Sequence, residues 1–203
     1  MIVCVKPSQY ELDIKRSRFI ATSYHIDSRD EVKGVIDALR RDNVGARHVC
    51  YGYIADEKGD DFGYDDDGEP SGTAGKPIYS AVAAVGARKT LIAVVRYFGG
   101  IKLGAGGLTR AYRQSAAELI ERAGLVKAEK YAEYEAECDG EAYKRAAAVL
   151  RNTACRIGQI RYASSVTCNI LAPAAFDIAA AVEPLGVKIT ALGEKYIFEE
   201  LES

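Results

Sequence analysis

Two glycine-rich segments hold most of the side chains and amides able to do chemistry. The first runs Asp65-Asp66-Asp67-Gly68-Glu69-Pro70-Ser71-Gly72-Thr73-Ala74-Gly75-Lys76-Pro77. Its carboxylates suit cation binding or proton transfer, and the amides of Ser71, Gly72 and Thr73, ahead of a helix start with Lys76 nearby, suit an anion. Two familiar loops fail here. Aligned on Gly68, a calcium loop puts Gly63 first and Ala74 twelfth, where carboxylates are needed. A Walker loop needs Gly where Pro70 stands and Ser or Thr where Pro77 stands. Asp66 and Asp67 invite magnesium, but adjacent loop carboxylates are ordinarily just solvated, so no metal and no cofactor is assigned. The plain alternative is a solvated acidic loop that only caps a helix.

The second segment runs Arg96-Tyr97-Phe98-Gly99-Gly100-Ile101-Lys102-Leu103-Gly104-Ala105-Gly106-Gly107-Leu108-Thr109-Arg110. Glycines this dense mean that something approaches the backbone closely. With Arg96, Lys102 and Arg110 around Gly99, Gly100, Gly104, Gly106 and Gly107, the phosphate of a nucleotide or of RNA is the natural guest. Gly104 and Gly106 begin a dinucleotide fingerprint, but Thr109 stands where its third glycine belongs. Tyr97 and Phe98 are candidates for stacking on bases or for the core. The competing reading is close packing of a helix on a strand.

No H-E-x-x-H and no G-x-S-x-G accompanies the two histidines, His25 and His48. Arg47 and His48 join the candidate anion or RNA surface. The enzyme alternative is a hydrolase-like site built from His48 with Asp66, Asp67 or Glu69, which requires these groups to converge in one cleft. Cys50 lies two residues from His48, on the same side of an extended strand, so a Cys-His dyad is conceivable; burial in the core is the favoured reading. Five cysteines with no C-x-x-C spacing fit neither a disulfide framework nor a zinc site.

These segments need elements to hold them. Alternation over Tyr10 to Ile26 predicts a hairpin. Ser28 and Glu31 predict a capping box ahead of a helix whose face carries Val32, Val35, Ile36 and Leu39, ending near Asn43 to Gly45. Arg47 to Ala55 reads as a strand with Val49, Tyr51 and Tyr53 on one side, and Asp56 to Gly75 as a long aperiodic loop. Pro77 then opens a helix with Ile78, Val82 and Val85 on one face, Thr90 to Val95 is a buried strand, and Leu108 to Ala123 is a helix stopped by Gly124. Past Lys127 a half-exposed strand, Tyr131 to Cys138, is followed by a helix capped by Asp139 with Tyr143, Ala147 and Leu150 inward. Strands over Cys155 to Tyr162 and Val166 to Leu171, a helix from Pro173 to Leu185 and a final strand from Val187, bulged near Gly193, complete the order βαββαβ, which is ferredoxin-like. The class is α+β, with domains at 1–128 and 129–203.

Composition narrows the partners. A hydrophobic fraction of 48% and a charged fraction of 28% describe an ordinary globular chain of 203 residues. A net charge of -2 gives no global pull toward nucleic acid, so binding must come from a local patch. Residues 1 to 128 hold the basic surplus, leaving Arg47, Lys76, Arg96, Lys102, Arg110 and Arg113 as a candidate positive surface. No apolar run reaches the roughly 18 residues of a membrane span, and the start lacks a signal-peptide core, so a cytoplasmic protein is expected.

The segments Ile14-Lys15-Arg16-Ser17-Arg18-Phe19-Ile20 and Ala46-Arg47-His48-Val49-Cys50-Tyr51, the Asp66 to Ile78 block and Val94 to Tyr112 resemble the IMPACT/YigZ family, over nearly the whole chain. The resemblance implies an N-terminal βαβ-type domain like elongation factor G domain IV and a C-terminal ferredoxin-like domain like that factor's last one, the bacterial two-domain architecture. It also implies an association with translation, since eukaryotic relatives regulate a translation-control kinase pathway and associate with ribosomes. The expected function is a binding or regulatory protein rather than an enzyme, contacting RNA, the ribosome, a translation-factor protein or another phosphate-bearing partner through both loops.

Overall fold

The computed structural model describes residues 2–201. Contacts divide the chain into two compact units, Met1–Lys127 with Glu199–Ser203, and Ala128–Phe198. In chain order the elements are β1 (Ile2–Val5), β2 (Ser8–Ile14), β3 (Ser17–His25), α1 (Asp30–Asp42), β4 (His48–Ile54), β5 (Phe62–Asp65), α2 (Gly75–Ala84), β6 (Thr90–Tyr97), α3 (Ala105–Ala123), β7 (Leu125–Cys138), α4 (Gly140–Leu150), β8 (Arg156–Tyr162), β9 (Val166–Pro173), α5 (Ile178–Val182) and β10 (Lys188–Glu200). This is an α+β fold.

The first unit is built on a sheet in the order β2-β3-β6-β4-β5, with every pairing antiparallel. Its centre, Thr90-Leu91-Ile92-Ala93-Val94-Val95, is apolar without alternation because helices cover both faces. Leu91, Ala93 and Val95 meet Val32, Ile36 and Leu39 of α1, whereas Ile92 and Val94 meet α2 and α3 through Ile78, Val82, Ala111 and Leu119. Helix α2 lies so close to β4 that a Cβ on Gly52 would fall 2.4 Å from the Tyr79 amide nitrogen. On the same face Phe19 and Tyr112 pack edge to face, ring centroids 5.2 Å apart.

The second unit follows the order βαββαβ, its sheet running β7-β9-β8 with β10 on the other side of β7. Asp139 caps α4 by accepting the Ala142 amide at 2.7 Å. The buried face of α4 is Ala142, Ala146 and Leu150, one position away from the expected Tyr143 and Ala147, both of which are only partly covered. The expected helix from Pro173 is shorter. Pro173 ends β9, Asp177 caps a helix of 5 residues, and a 3-10 turn at Glu183–Leu185 finishes it. A register irregularity lies between Ile157 and Ile160 of β8, and in β10 Gly193 carries a φ of 153°.

Three expectations in the first unit are corrected. The aperiodic stretch after Ala55 contains β5, paired along the β4 edge from Tyr51↔Asp65 to Ile54↔Phe62. Helix α2 begins at Gly75, which makes Pro77 its third residue, and Val85 is exposed rather than on the buried face. The Ser28 side chain does not cap α1; only half of the box forms, with Glu31 accepting the Asp27 amide at 3.0 Å.

Candidate functional site

Register places the site. In the β4–β6 ladder His48 stands opposite Arg96, and in the β3–β6 ladder Phe19 does. Directly paired residues share a face, so His48, Arg96 and Phe19 all point to the side that carries α3. There the ends of these strands, the loop after β5 and the first turn of α3 enclose a cleft of about 360 Å³ lined by Arg47, His48, Glu69, Pro70, Arg96, Phe98 and the segment Lys102–Ala105 with Leu108.

The floor of the cleft is charged and internally balanced. Arg96, 4% exposed, forms an ion pair through Nη1 with Glu69 Oε1. That oxygen also accepts the Tyr112 hydroxyl at 2.8 Å. The Arg96 guanidinium lies 5.4 Å from the Phe19 ring centre and 5.5 Å from that of Phe98. Its Nε has no hydrogen-bond acceptor among the described residues. Arg96 therefore does not belong to the exposed positive surface on which the sequence places it. Its charge is answered by the protein's own Glu69.

The first loop turns its acids inward. Asp66 Oδ1 accepts the amides of Ala74 and Gly75 at 2.9 and 2.8 Å, and its Oδ2 accepts that of Gly72 at 2.7 Å. The Thr73 amide goes to the Pro70 carbonyl, which the Thr73 hydroxyl also engages. The amides expected to hold an external anion at Ser71 to Thr73 thus sit in a turn whose anion is Asp66. Lys76 is exposed and does not line the cleft. Asp67 Oδ2 accepts the Val49 amide at 2.6 Å, Oδ1 meets Arg40, and its carbonyl meets His48 Nδ1 at 2.7 Å. It does so from a left-handed backbone, φ 43°, which a non-glycine residue adopts at a cost of about 1 kcal/mol or more.

That contact fixes the chemistry of His48. A carbonyl oxygen only accepts, so Nδ1 carries the proton and, in the neutral ring, Nε2 is left as an acceptor. Of the acids named with His48, Asp66 and Asp67 direct their carboxylates at backbone amides and Arg40, and only Glu69 shares the cleft with it. Cys50 is fully buried, its thiol pushed up by burial and donating to the Asp66 carbonyl at 3.1 Å. It is a core residue and forms no dyad with His48. The other histidine, His25, pairs with Thr90 at the far end of β6, and burial lowers its pKa to about 4.

The second loop keeps its donors outward. Helix α3 begins without a side-chain cap and without an acid in its first turn. Leu108 is the first amide with an intrahelical partner, through the Gly104 carbonyl, so those of Ala105, Gly106 and Gly107 have no acceptor among the described residues. The glycines divide by cause. A Cβ on Gly99 would lie 1.8 Å from the Arg16 carbonyl oxygen, so packing excludes a side chain there, and one on Gly107 would lie 3.0 Å from Leu103 Cβ, a tight fit. Gly104 needs its φ of 73°. Gly106 has neither reason, since its Cβ would meet only Arg110 Nη1 at 3.8 Å. Lys102 and Arg47 are exposed beside this helix end with no carboxylate partner among the described residues, and the Arg47 guanidinium lies 5.7 Å from the Phe98 ring centre.

Other expected contacts fall elsewhere. Tyr97 points to the α1 face, where its hydroxyl donates to Asn43 at 2.8 Å, and is not in the cleft. The Thr109 hydroxyl donates to the Ala105 carbonyl. Arg110 lines a neighbouring depression with Lys15, Leu103 and Gln114. Sequence reasoning passed over Lys15, at φ 46° in the β2–β3 turn, and Ser17, which receives the Gly99 amide at 3.3 Å. Phe98, 40% exposed, was weighed for stacking but is the aromatic that actually lines the cleft.

Comparison with known proteins agrees on one family. The Impact N-terminal domain matches residues 15–120. The IMPACT family member YigZ of Escherichia coli (strain K12) is 33% identical over 165 residues, covering 80% of this chain and 81% of that one. The IMPACT family member YvyE of Bacillus subtilis (strain 168) is 39% identical over 119 residues, 59% of this chain and 55% of its own length. A solved structure described as the crystal structure of an hypothetical protein superposes with a TM-score of 0.58 at 28% identity, covering 95% of this chain and 98% of that one.

Proposed function

Because the chain belongs to the IMPACT family, we propose that it is a binding protein of the translation apparatus that engages RNA phosphate through the cleft at the start of α3. The observation that carries this reading is the bare first turn of α3, its amides of Ala105 to Gly107 open beside the unpaired cations Lys102 and Arg47. A helix N-terminus with exposed amides and no acid of its own attracts anions, and neighbouring cations strengthen that pull. Phe98 adds a ring face on which a base can stack. Arg110 and Lys15 extend the positive surface into the adjoining depression. The family resemblance supplies translation as the setting. Among the described residues no helix is long and apolar enough to cross a membrane.

The test is co-sedimentation of the purified protein with ribosomes and with free RNA across a salt series. Wild type should lose affinity steeply with salt, and Lys102→Glu combined with Arg110→Glu should weaken binding and flatten the salt slope by about two charges. Binding indifferent to both salt and substitution sinks the reading. A second reading is favoured by one observation, that His48 and Glu69 line the same cleft: a hydrolase in which His48 is the general base. It requires turnover of a phosphate or acyl ester that His48→Ala abolishes while RNA binding survives.

A further inference from the structure

The cleft is not uniformly positive. Part of its lining offers donors and cations, namely the α3 amides, Lys102 and Arg47. Another part offers acceptors. Glu69 Oε1 is occupied by Arg96 and Tyr112, which leaves Oε2, and in the neutral ring the proton that the Asp67 carbonyl holds on Nδ1 leaves His48 Nε2 as an acceptor. A phosphodiester cannot satisfy those two groups; it would be repelled by Glu69 and has no proton to donate. The ligand must therefore carry an anion at one end and hydrogen-bond donors at the other. The lining also holds the Nε–H of Arg96, unmet among the described residues, on a side chain more than nine-tenths buried.

Size and shape restrict the ligand further. About 360 Å³ lies at the small end of ordinary ligand cavities, room for one nucleotide and not for a length of strand. The rest of the lining includes the apolar residues Phe98, Pro70, Leu103 and Leu108. Building on the RNA reading above, we infer that the cleft seats a terminal ribonucleotide. Its phosphate lies on the first turn of α3 with Lys102 and Arg47, its ring system lies against Phe98, and its free ribose diol donates to Glu69 Oε2 and His48 Nε2. An internal nucleotide does not meet these requirements, because its 3′ oxygen is esterified and the next phosphate would face Glu69. The same chemistry is presented by the 3′ end of an RNA and by a free nucleoside 5′-monophosphate.

The experiment uses the whole chain and fluorescence anisotropy with one RNA sequence, labelled at its 5′ end and carrying a 3′ terminal diol, a 3′-phosphate or a 2′,3′-dideoxy terminus. The four nucleoside 5′-monophosphates, their 2′-deoxy counterparts and inorganic phosphate serve as competitors. The diol-ended RNA should bind at least about tenfold more tightly than either blocked RNA, the loss expected when a hydrogen bond to a charged group is removed. Ribonucleotides should compete better than deoxyribonucleotides or phosphate. Competition by ribonucleotides without end-selective RNA binding identifies the free nucleotide as the ligand and breaks the RNA reading alone. Salt-dependent RNA binding that ignores the 3′ end and the mononucleotides overturns the terminal-nucleotide inference and leaves the RNA reading standing. No binding of any probe overturns both.

Discussion

Two helices of the first unit begin at glycine-rich loops, and their N-termini are treated in opposite ways. At α2 the carboxylate of Asp66 folds back onto the amides of Gly72, Ala74 and Gly75, and its neighbours Asp67 and Glu69 are equally committed, to Val49 and Arg40 and to Arg96 and Tyr112. At α3 the first turn has no acid, and among the described residues its amides have no protein acceptor and Lys102 and Arg47 beside it have no carboxylate partner. Both ends carry the same partial positive charge. The difference teaches that glycine density does not locate an anion site. What locates it is whether the chain has already placed an anion there. The acids of the first loop act as the protein's own ligands, and by consuming the positive charge of α2 and Arg96 they leave the α3 end as the one open to an outside anion.

If that division holds, removing the internal anions should hurt folding first. Glu69→Ala leaves the buried Arg96 charge without a counterion, which costs about 3–5 kcal/mol. Urea unfolding should show the loss, and a Glu69→Leu, Arg96→Met double variant should regain most of it, since an apolar pair does not need the compensation. A stable Glu69→Ala protein would show that the pair is not the keystone of the cleft floor. Asp66→Ala should cost less, about 2 kcal/mol, because it removes a helix cap whose three amides can partly turn to water. The comparison predicts one more outcome for it. Freed from Asp66, the α2 end should gain weak, salt-sensitive affinity for phosphate that wild type lacks. A variant that is destabilised but no better at binding phosphate there would mean that the cap is purely structural.

Much of this frame was legible in the sequence. Alternation located β2, β3 and β4, a helical period located α1, an unbroken apolar run located β6, and the Gly124 stop marked the end of α3. β5 was hidden, since Phe62 and Tyr64 sit among acids on an edge strand that lies half exposed, and exposure erases the pattern. Both loops were recognised as special, but their polarity was not. Arg96 and Lys102 look alike as sequence, and so do Asp66 and the loop acids Asp60 and Asp61; only tertiary structure shows that Arg96 meets Glu69 and that Asp66 bends back on amides six to nine residues ahead. Tyr97 and Phe98 illustrate the same limit. Adjacent strand residues point to opposite faces, so only one of the pair could enter the cleft, and deciding which required knowing which side α3 covers.

The sharpest test makes the two helix ends alike. Ala105 is the first residue of α3 and lines the cleft. Ala105→Asp would place a carboxylate over the same amides that Asp66 covers at α2. An acid in the first turn favours a helix, so stability should stay within about 0.5 kcal/mol of wild type or rise slightly. Binding should respond in the other direction, with RNA affinity falling at least about tenfold as the new carboxylate occupies the seat of the phosphate and offsets Lys102. Ala105→Asn provides the control, being nearly the same size and uncharged. If Asn leaves affinity near wild type and Asp removes it, charge at the α3 end is the determinant. Equal losses in both would assign the effect to steric blocking. Full binding by Ala105→Asp would show that α3 is as indifferent to external anions as α2, and the contrast between the two loops would then carry no functional meaning.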